Sequence, residues 1–458
     1  MHNEQLEMVQ VRRMMEEDLD IVFETDFNSF RRAVVWREHP DLKTMSQAVI
    51  QLDGSLIYQS DSILDEALRI QYMEDEPQLT YSERQELQFR LKISSAGLMS
   101  SGKVPVQKDG LFTYFSPSGS QLVKRWFKSL RPFRNSIAAV QGKSGGWNYL
   151  KENGEFLFSS EAQELSDFQD GFGVVRKNGR CFIVDEMGHR ASEIYDHISS
   201  FQEGYALVFQ KGKYNFLDDT LELLFERWLY PYRSVGDFSL GRALTIRQRG
   251  AFNYVQPDGS FLFKDHEGKR HDLSLHTACR FDSGFALIMD YSARGGGSLK
   301  YNFVDPEGAF LCKKWFPYAS SFWGGLALVS TGKYYNYITH TGRLLLENGY
   351  RSARDFRSGL AAVQKPQGMW TFINKRGEEL NCLPFLNVTD FSNGRALGEM
   401  EDGWYLIDMK GNDVGGQVFS EVLDDPYKPL FYHKPYLRVS SKKLGNRSLR
   451  INWFGEVV

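Results

Sequence analysis

No Pro-rich or Gly/Ser-rich linker interrupts the 458 residues of this chain, which holds only 14 prolines, so it is not read as a string of tethered domains. Its length nevertheless exceeds what one ordinary hydrophobic core organises. Cysteine is scarce as well. Cys181, Cys279, Cys312 and Cys382 are widely separated with no close pair, a pattern of small buried thiols in a reducing compartment, and disulfides are not expected. A dominant charge is also missing: 55 basic against 58 acidic side chains leave a net charge of -3. No global field would draw such a chain to a polyanion, which argues against nucleic acid as its principal partner. The local cluster Lys442, Lys443, Arg447 and Arg450 reads as one solvated strand face. Finally, no stretch of ~18 apolar residues occurs, and residues 1–22 are charged throughout without a signal-peptide core. The expected location is cytoplasmic, with no membrane contact.

What the chain does have is repetition. An aromatic, two residues and a glycine recur as Phe168-Gln169-Asp170-Gly171, Phe201-Gln202-Glu203-Gly204, Phe238-Ser239-Leu240-Gly241, Phe281-Asp282-Ser283-Gly284, Phe322-Trp323-Gly324-Gly325, Phe356-Arg357-Ser358-Gly359 and Phe391-Ser392-Asn393-Gly394. Subtracting successive phenylalanine numbers gives 33, 37, 43, 41, 34 and 35. A period loose in length but fixed in chemistry marks tandem units joined by variable loops, each burying its apolar face on its neighbours.

One unit runs from Phe281 through the turn Asp282-Ser283-Gly284 into Phe285-Ala286-Leu287-Ile288-Met289. It continues through Lys300-Tyr301-Asn302-Phe303-Val304-Asp305 and the turn Pro306-Glu307-Gly308 into Ala309-Phe310-Leu311-Cys312. Three short apolar segments parted by glycine turns predict a three-stranded antiparallel meander. The alanine two residues before a β-branched residue, as in Ala286 and Ala327, predicts close approach by an aromatic of the neighbouring unit. The recurring Asn148, Asn215, Asn253, Asn302 and Asn336 read as locally hydrogen-bonded amides rather than a ligand ladder. The pairs Trp126-Phe127, Trp228-Leu229 and Trp315-Phe316 read as interlocks between units rather than a platform for a sugar or base.

The run Gly212-Lys213-Tyr214-Asn215-Phe216-Leu217-Asp218 and its counterpart Lys300 to Asp305 resemble the WG-repeat family, also called KWG repeats. The family's Trp-Gly pair is mostly aromatic-Asn here, with Trp147-Asn148 and Trp370-Thr371 keeping the tryptophan. That variant is similar to repeat proteins of Bacteroidales bacteria and their phages. The resemblance implies a β-rich binding or scaffold module and transfers no catalytic residue.

The units are expected over residues 99–425, flanked by an N-terminal capping helix at 1–22, a degenerate first repeat at 23–98 and a partial repeat or cap at 426–458. An insertion at 60–94 carries two predicted helical stretches, 62–72 and 80–91, and projects as a partner site; Thr80 and Glu83 have the spacing of a capping box. The fold class is thus an all-β tandem repeat of about ten three-stranded meanders, as an open superhelical array or, alternatively, a closed β-propeller or two stacked smaller rings. The loop holding His266, His271, Asp272, His276 and Cys279 is the one cluster with metal-ligand chemistry, although its spacing matches no familiar zinc pattern. The glycine run 295–297 leads into a strand rather than a helix, which speaks against a phosphate cradle. The expected function is non-catalytic binding of a protein or peptide partner without a cofactor. Binding of a glycan or cell-wall polymer is the alternative, and metal-assisted hydrolysis through the 266–279 loop a third reading.

Overall fold

The computed structural model describes residues 8, 11–12, 15, 21–23, 31–38, 45–60, 64, 66–74, 77–134, 136–169, 171–248, 250–265, 267–273, 277–291, 297–323, 325–357, 359–380, 384–391, 394–423, 437–441, 447–451 and 455–457. Among them stand ten three-stranded antiparallel sheets and one four-stranded sheet. Most of the 1–22 segment lies outside the described residues. Two helices with described bounds are α1 (Glu66–Glu74) and α2 (Tyr81–Leu91), and the described residues Met8, Val11, Arg12 and Met15 of the 1–22 segment are helical as well. No helix among the described residues is long and apolar enough to cross a membrane.

The chain forms two compact units, and the division falls inside the repeat array rather than at its ends. One unit holds Met1–His2 and Asp65–Ser274, with α1, α2 and repeats 1 to 5, which open at Ser95, Ser129, Glu164, His197 and Ser234. The other holds Asn3–Leu64 and Leu275–Val458, with the four-stranded sheet between Val22 and Gln59 and repeats 6 to 10, which open at Thr277, Tyr318, Ser352, Asn387 and Glu421. The C-terminal strand Leu437–Ser441 pairs with Glu421–Val422 on one side and with Arg447–Ile451 on the other, completing repeat 10 rather than the first sheet.

Repeat 2 shows the plan: Ser129–Leu130 pairs with Ile137–Gln141, which pairs with Trp147–Lys151. The meander therefore starts one segment earlier than the sequence suggests. In repeat 6 the first strand is Thr277–Asp282, ahead of the glycine turn, and residues 309–312 are not a strand but touch Val304 through a single bridge at Phe310. The returning run is held instead by the Leu311 amide on the Phe303 carbonyl at 2.9 Å and by the Asn302 side chain on the Cys312 carbonyl at 2.7 Å.

Two features make the turn tight where the phrase recurs. Glu203 and Gly204 both take positive φ, 55° and 85°, as a two-residue primed turn requires. Glu203 also reaches the next repeat, accepting hydrogen bonds from the amides of Leu240 and Gly241 at 2.6 and 2.8 Å.

The repeats interlock through rings. The aromatic after the asparagine position meets the phenylalanine of the next repeat at a near-constant distance: 4.8 Å for Tyr114–Phe133, 4.7 Å for Tyr149–Phe168, 4.5 Å for Phe216–Phe238, 4.8 Å for Phe303–Phe322, 4.7 Å for Tyr337–Phe356 and 4.8 Å for Phe372–Phe391. The small residue sits under this contact. Ala327 is buried with Phe303 and Phe322, and Ala361 with Tyr337 and Phe356. At the same place in repeat 3 stands Gly173, where a Cβ would lie 2.5 Å from the Tyr149 hydroxyl. The tryptophans take a lesser part than the sequence suggests: Trp228 meets Tyr195 at 6.3 Å, Trp315 lies 6.0 Å from Phe310, and Trp126 packs on the cluster around Leu87.

The insertion does not project freely. Thr80 and Glu83 form the expected capping box at the start of α2. Leu87 is then 2% exposed against Val104, Val106 and Phe115 of repeat 1, and the Gln78 amide bridges the backbone N–H and C=O of Met99 at 2.9 and 3.0 Å.

Candidate functional site

The asparagines are consumed by structure. Asn215 is fully buried; its Nδ2 donates to the Phe225 carbonyl at 2.8 Å, and its Oδ1 accepts the amides of Phe216 and Phe225 at 2.8 and 3.1 Å. Asn148, Asn253 and Asn336 repeat the arrangement, each fastening the returning run ten residues on. Asn302 does the same at the Cys312 carbonyl. In repeat 1 Thr113 stands in and donates to the Arg125 carbonyl at 3.0 Å. A fully buried amide with three of its four hydrogen-bonding positions filled by its own repeat is a structural fastening and is not presented to a ligand.

The interlocking tyrosines are equally occupied. Tyr149 donates to the Ser166 carbonyl at 2.9 Å and Tyr337 to the Arg354 carbonyl at 2.6 Å, while Tyr114 donates to that of Arg131. Burial pushes the phenols of Tyr149 and Tyr337 well above the ordinary tyrosine range, so neither exchanges its proton near neutral pH.

The described residues of the metal-type loop are engaged elsewhere. Asp272 receives Arg270 at 2.6 and 2.8 Å and pairs with Arg247 at 2.7 Å, and Arg270 lies 3.9 Å over the Phe261 ring. His271 is exposed in the first compact unit, whereas Cys279 packs against the apolar cluster around Phe303 in the second. His266 and His276 lie outside the described residues, as do residues 292–296 of the glycine loop. No group of His, Cys, Asp or Glu among the described residues could hold a metal ion. Cys181, Cys279 and Cys312 form no disulfide among the described residues, and burial raises each thiol above the usual range.

Against this uniform background one column of residues varies, two places before the interlocking ring or, in repeat 1, before Met99. Its amide donates to a carbonyl eight residues on: Gly97 to Pro105 at 2.7 Å, and Arg131 to Ala139, Ser166 to Val174, Ser199 to Leu207, Ser320 to Leu328, Arg354 to Ala362 and Thr389 to Leu397, each at 2.9 Å. Where the residue is Ser or Thr, its hydroxyl accepts a second amide of the same repeat, as at Val174, Leu207, Leu328 and Leu397. Where it is Arg, it spans to the next repeat. Arg131 donates to the Leu165 carbonyl at 2.9 Å and to Asp167 at 3.2 Å, with its guanidinium 4.9 Å over the Trp147 ring. Arg354 does the same to Val388 at 2.9 Å, Asp390 at 3.3 Å and Trp370 at 4.8 Å.

At Gly97 no side chain fills that place, and a cavity of about 600 Å³ opens between repeats 1 and 2, roofed in part by Ile70 of α1. Sequence reading missed this column. The signal is present in the sequence: two places before the rings stand Arg131 and Arg354, Ser or Thr at 166, 199, 320 and 389, Gly236 and Cys279, while Gly97 holds the same register in repeat 1 ahead of Met99.

A family model described as "WG containing repeat" matches residues 192–214, which take in the first strand of repeat 4 and the strand after it. Among curated proteins none matches the chain. Among solved structures, BamB from Moraxella catarrhalis is similar at 13% identity, with 61% of this chain and 93% of that one covered and a TM-score of 0.28. A eukaryotic initiation factor is similar at 11% identity, covering 71% and 95% with a TM-score of 0.36, and Kluyvelomyces marxianus Hsv2 at 10% identity, covering 60% and 88% with a TM-score of 0.25.

Proposed function

We propose that this WG-type repeat chain is a non-catalytic scaffold that binds a protein or peptide partner through its extended β surface. One observation carries the reading. Asn215, Asp272, Tyr337 and their counterparts are engaged in holding the repeats together, whereas the variable column leaves a cavity of about 600 Å³ at Gly97. A rigid frame with variable positions on it is the ordinary arrangement of repeat binding proteins. The thiols of Cys181, Cys279 and Cys312, unbridged among the described residues, favour a reducing, cytoplasmic setting. Affinity capture with the full chain from its source lysate, followed by cross-linking, should return one protein partner with its cross-links on the repeats. Recovery of no protein above a scrambled-surface control would overturn the reading.

A second reading, glycan binding, draws on a row of tyrosines in the second compact unit. Tyr318, 39% exposed, lies 5.8 Å from Tyr301 and 6.2 Å from Tyr335. Such a row offers faces for the C–H edges of sugars, and a glycan array separates the two readings.

A further inference from the structure

The cavity at Gly97 has a template inside the same molecule. Arg131 and Arg354 show what the place accepts: a flat group lying on an aromatic ring, with an N–H pointing at the carbonyl of the next repeat's first strand. The ring is present at Gly97 too. Phe112 stands opposite Gln107, as Trp147 stands opposite Gln141 and Trp370 opposite Gln364. The acceptor is present as well. Leu130 pairs with Val140 in the register by which Leu165 pairs with Val175, so its carbonyl is turned toward the cavity as that of Leu165 is toward Arg131. No described side chain donates to the Leu130 carbonyl, and Leu130 lines the cavity.

One part of the template is missing, and it decides the occupant. Pro132 stands where Asp167 receives Arg131, and Arg134 is the only charged residue in the lining. A guanidinium placed here would find no carboxylate among the described lining residues where Asp167 receives Arg131. The remaining lining is mainly apolar, with Ile70, Leu98 and Val106 facing Pro132 and Phe133. The group that keeps the flat shape and the single N–H donor but discards the charge is an indole.

We propose, resting on the scaffold reading above, that this cavity receives a tryptophan side chain from an extended peptide partner, with the ring on Phe112 and the indole N–H donated to the Leu130 carbonyl. A cavity of about 600 Å³ leaves room beside the ring for the flanking backbone. Ser95 and Ser129 in the lining supply polar contacts for that backbone.

The test titrates the full chain with fluorescein-labelled five-residue peptides of serine carrying Trp, Leu or Arg at the centre. The Trp peptide should bind about tenfold or more tightly than the other two. Gly97→Trp should abolish its binding by filling the cavity from within the chain with the ring it is proposed to receive. A Cβ at Gly97 would sit 3.0 Å from Pro105 Cγ, so this variant needs an unfolding midpoint near that of the parent. Phe112→Leu serves if that midpoint falls: it keeps apolar volume, removes the ring, and should weaken Trp-peptide binding about tenfold. Equal affinity for the Leu and Trp peptides, no binding of any, or binding unchanged in Phe112→Leu would overturn the proposal. Lysate capture of a protein partner that survives Gly97→Trp would sink the cavity while leaving the scaffold standing; loss of all capture by the parent chain would remove both.

Discussion

The junction between repeats 2 and 3 and the junction between repeats 1 and 2 share one interlock and differ in what covers it. Both bring a buried tyrosine and phenylalanine to nearly the same distance, 4.7 Å for Tyr149–Phe168 and 4.8 Å for Tyr114–Phe133, and in both the tyrosine hydroxyl donates to the next repeat's backbone. Over the first lies Arg131 with Trp147 and Asp167; over the second lie Gly97, Phe112 and an open cavity. The junction does not need its cover to form. Rings and backbone hold the repeats in register, and the residue above them is free to become a brace or a binding site. Unit 2 repeats the braced form at Arg354, which shows the brace to be a recurrent option rather than a local accident.

The comparison breaks most easily at the rings. Phe168→Ala and Phe133→Ala each remove a side chain 3% exposed or less and should cost about 3–5 kcal/mol by urea unfolding. If the interlock carries both junctions alike, the two losses agree to within about 1 kcal/mol; a Phe133→Ala loss under half that of Phe168→Ala would mean that the open junction is held some other way. Next come the amide positions. Asn148→Ala strands the amide and carbonyl of Phe158 and the amide of Tyr149, a cost of about 2–3 kcal/mol, whereas Thr113→Val in repeat 1 frees one carbonyl for about 1 kcal/mol. Equal losses at the two sites would show that the amide is not the fastening it is taken to be here. Ala327→Leu tests the space under the ring pair and should cost about 1–3 kcal/mol in thermal unfolding, because Phe303 and Phe322 close on it.

Much of this was legible in the chain and some was not, for definite reasons. The glycine turns were readable because only a residue without Cβ sits easily at φ 85° where Gly171 and Gly204 stand. The local role of Asn215 was readable because a polar group repeated inside β structure has to find its partners nearby. The starting point of the meander was not: first strands such as Ser129–Leu130 are two residues long and carry no period. Nor could pattern alone show that Phe133 rather than Trp126 spans the junction, since either ring has the bulk and only the spacing of the folded repeats selects between them. The cavity was least visible of all. It arises where a side chain is missing, and a glycine reads first as a turn.

The smallest expected effect discriminates most sharply between the two junctions. Arg131→Ser installs the residue that repeats 3, 4 and 7 carry at this position, so the backbone meets no new strain, and the half-exposed brace it removes is worth about 1 kcal/mol or less. The space left behind keeps Trp147 and Asp167 and is therefore a site for a cation. Ethylguanidinium at a concentration equal to its dissociation constant should restore RT ln 2, about 0.4 kcal/mol. The parent chain, whose open cavity has Pro132 where this one has Asp167, should gain nothing from the same additive. A matching gain in the parent would erase the difference in charge on which the choice of indole over guanidinium depends. No gain in the variant would show instead that Asp167 does not make the braced junction selective for a cation.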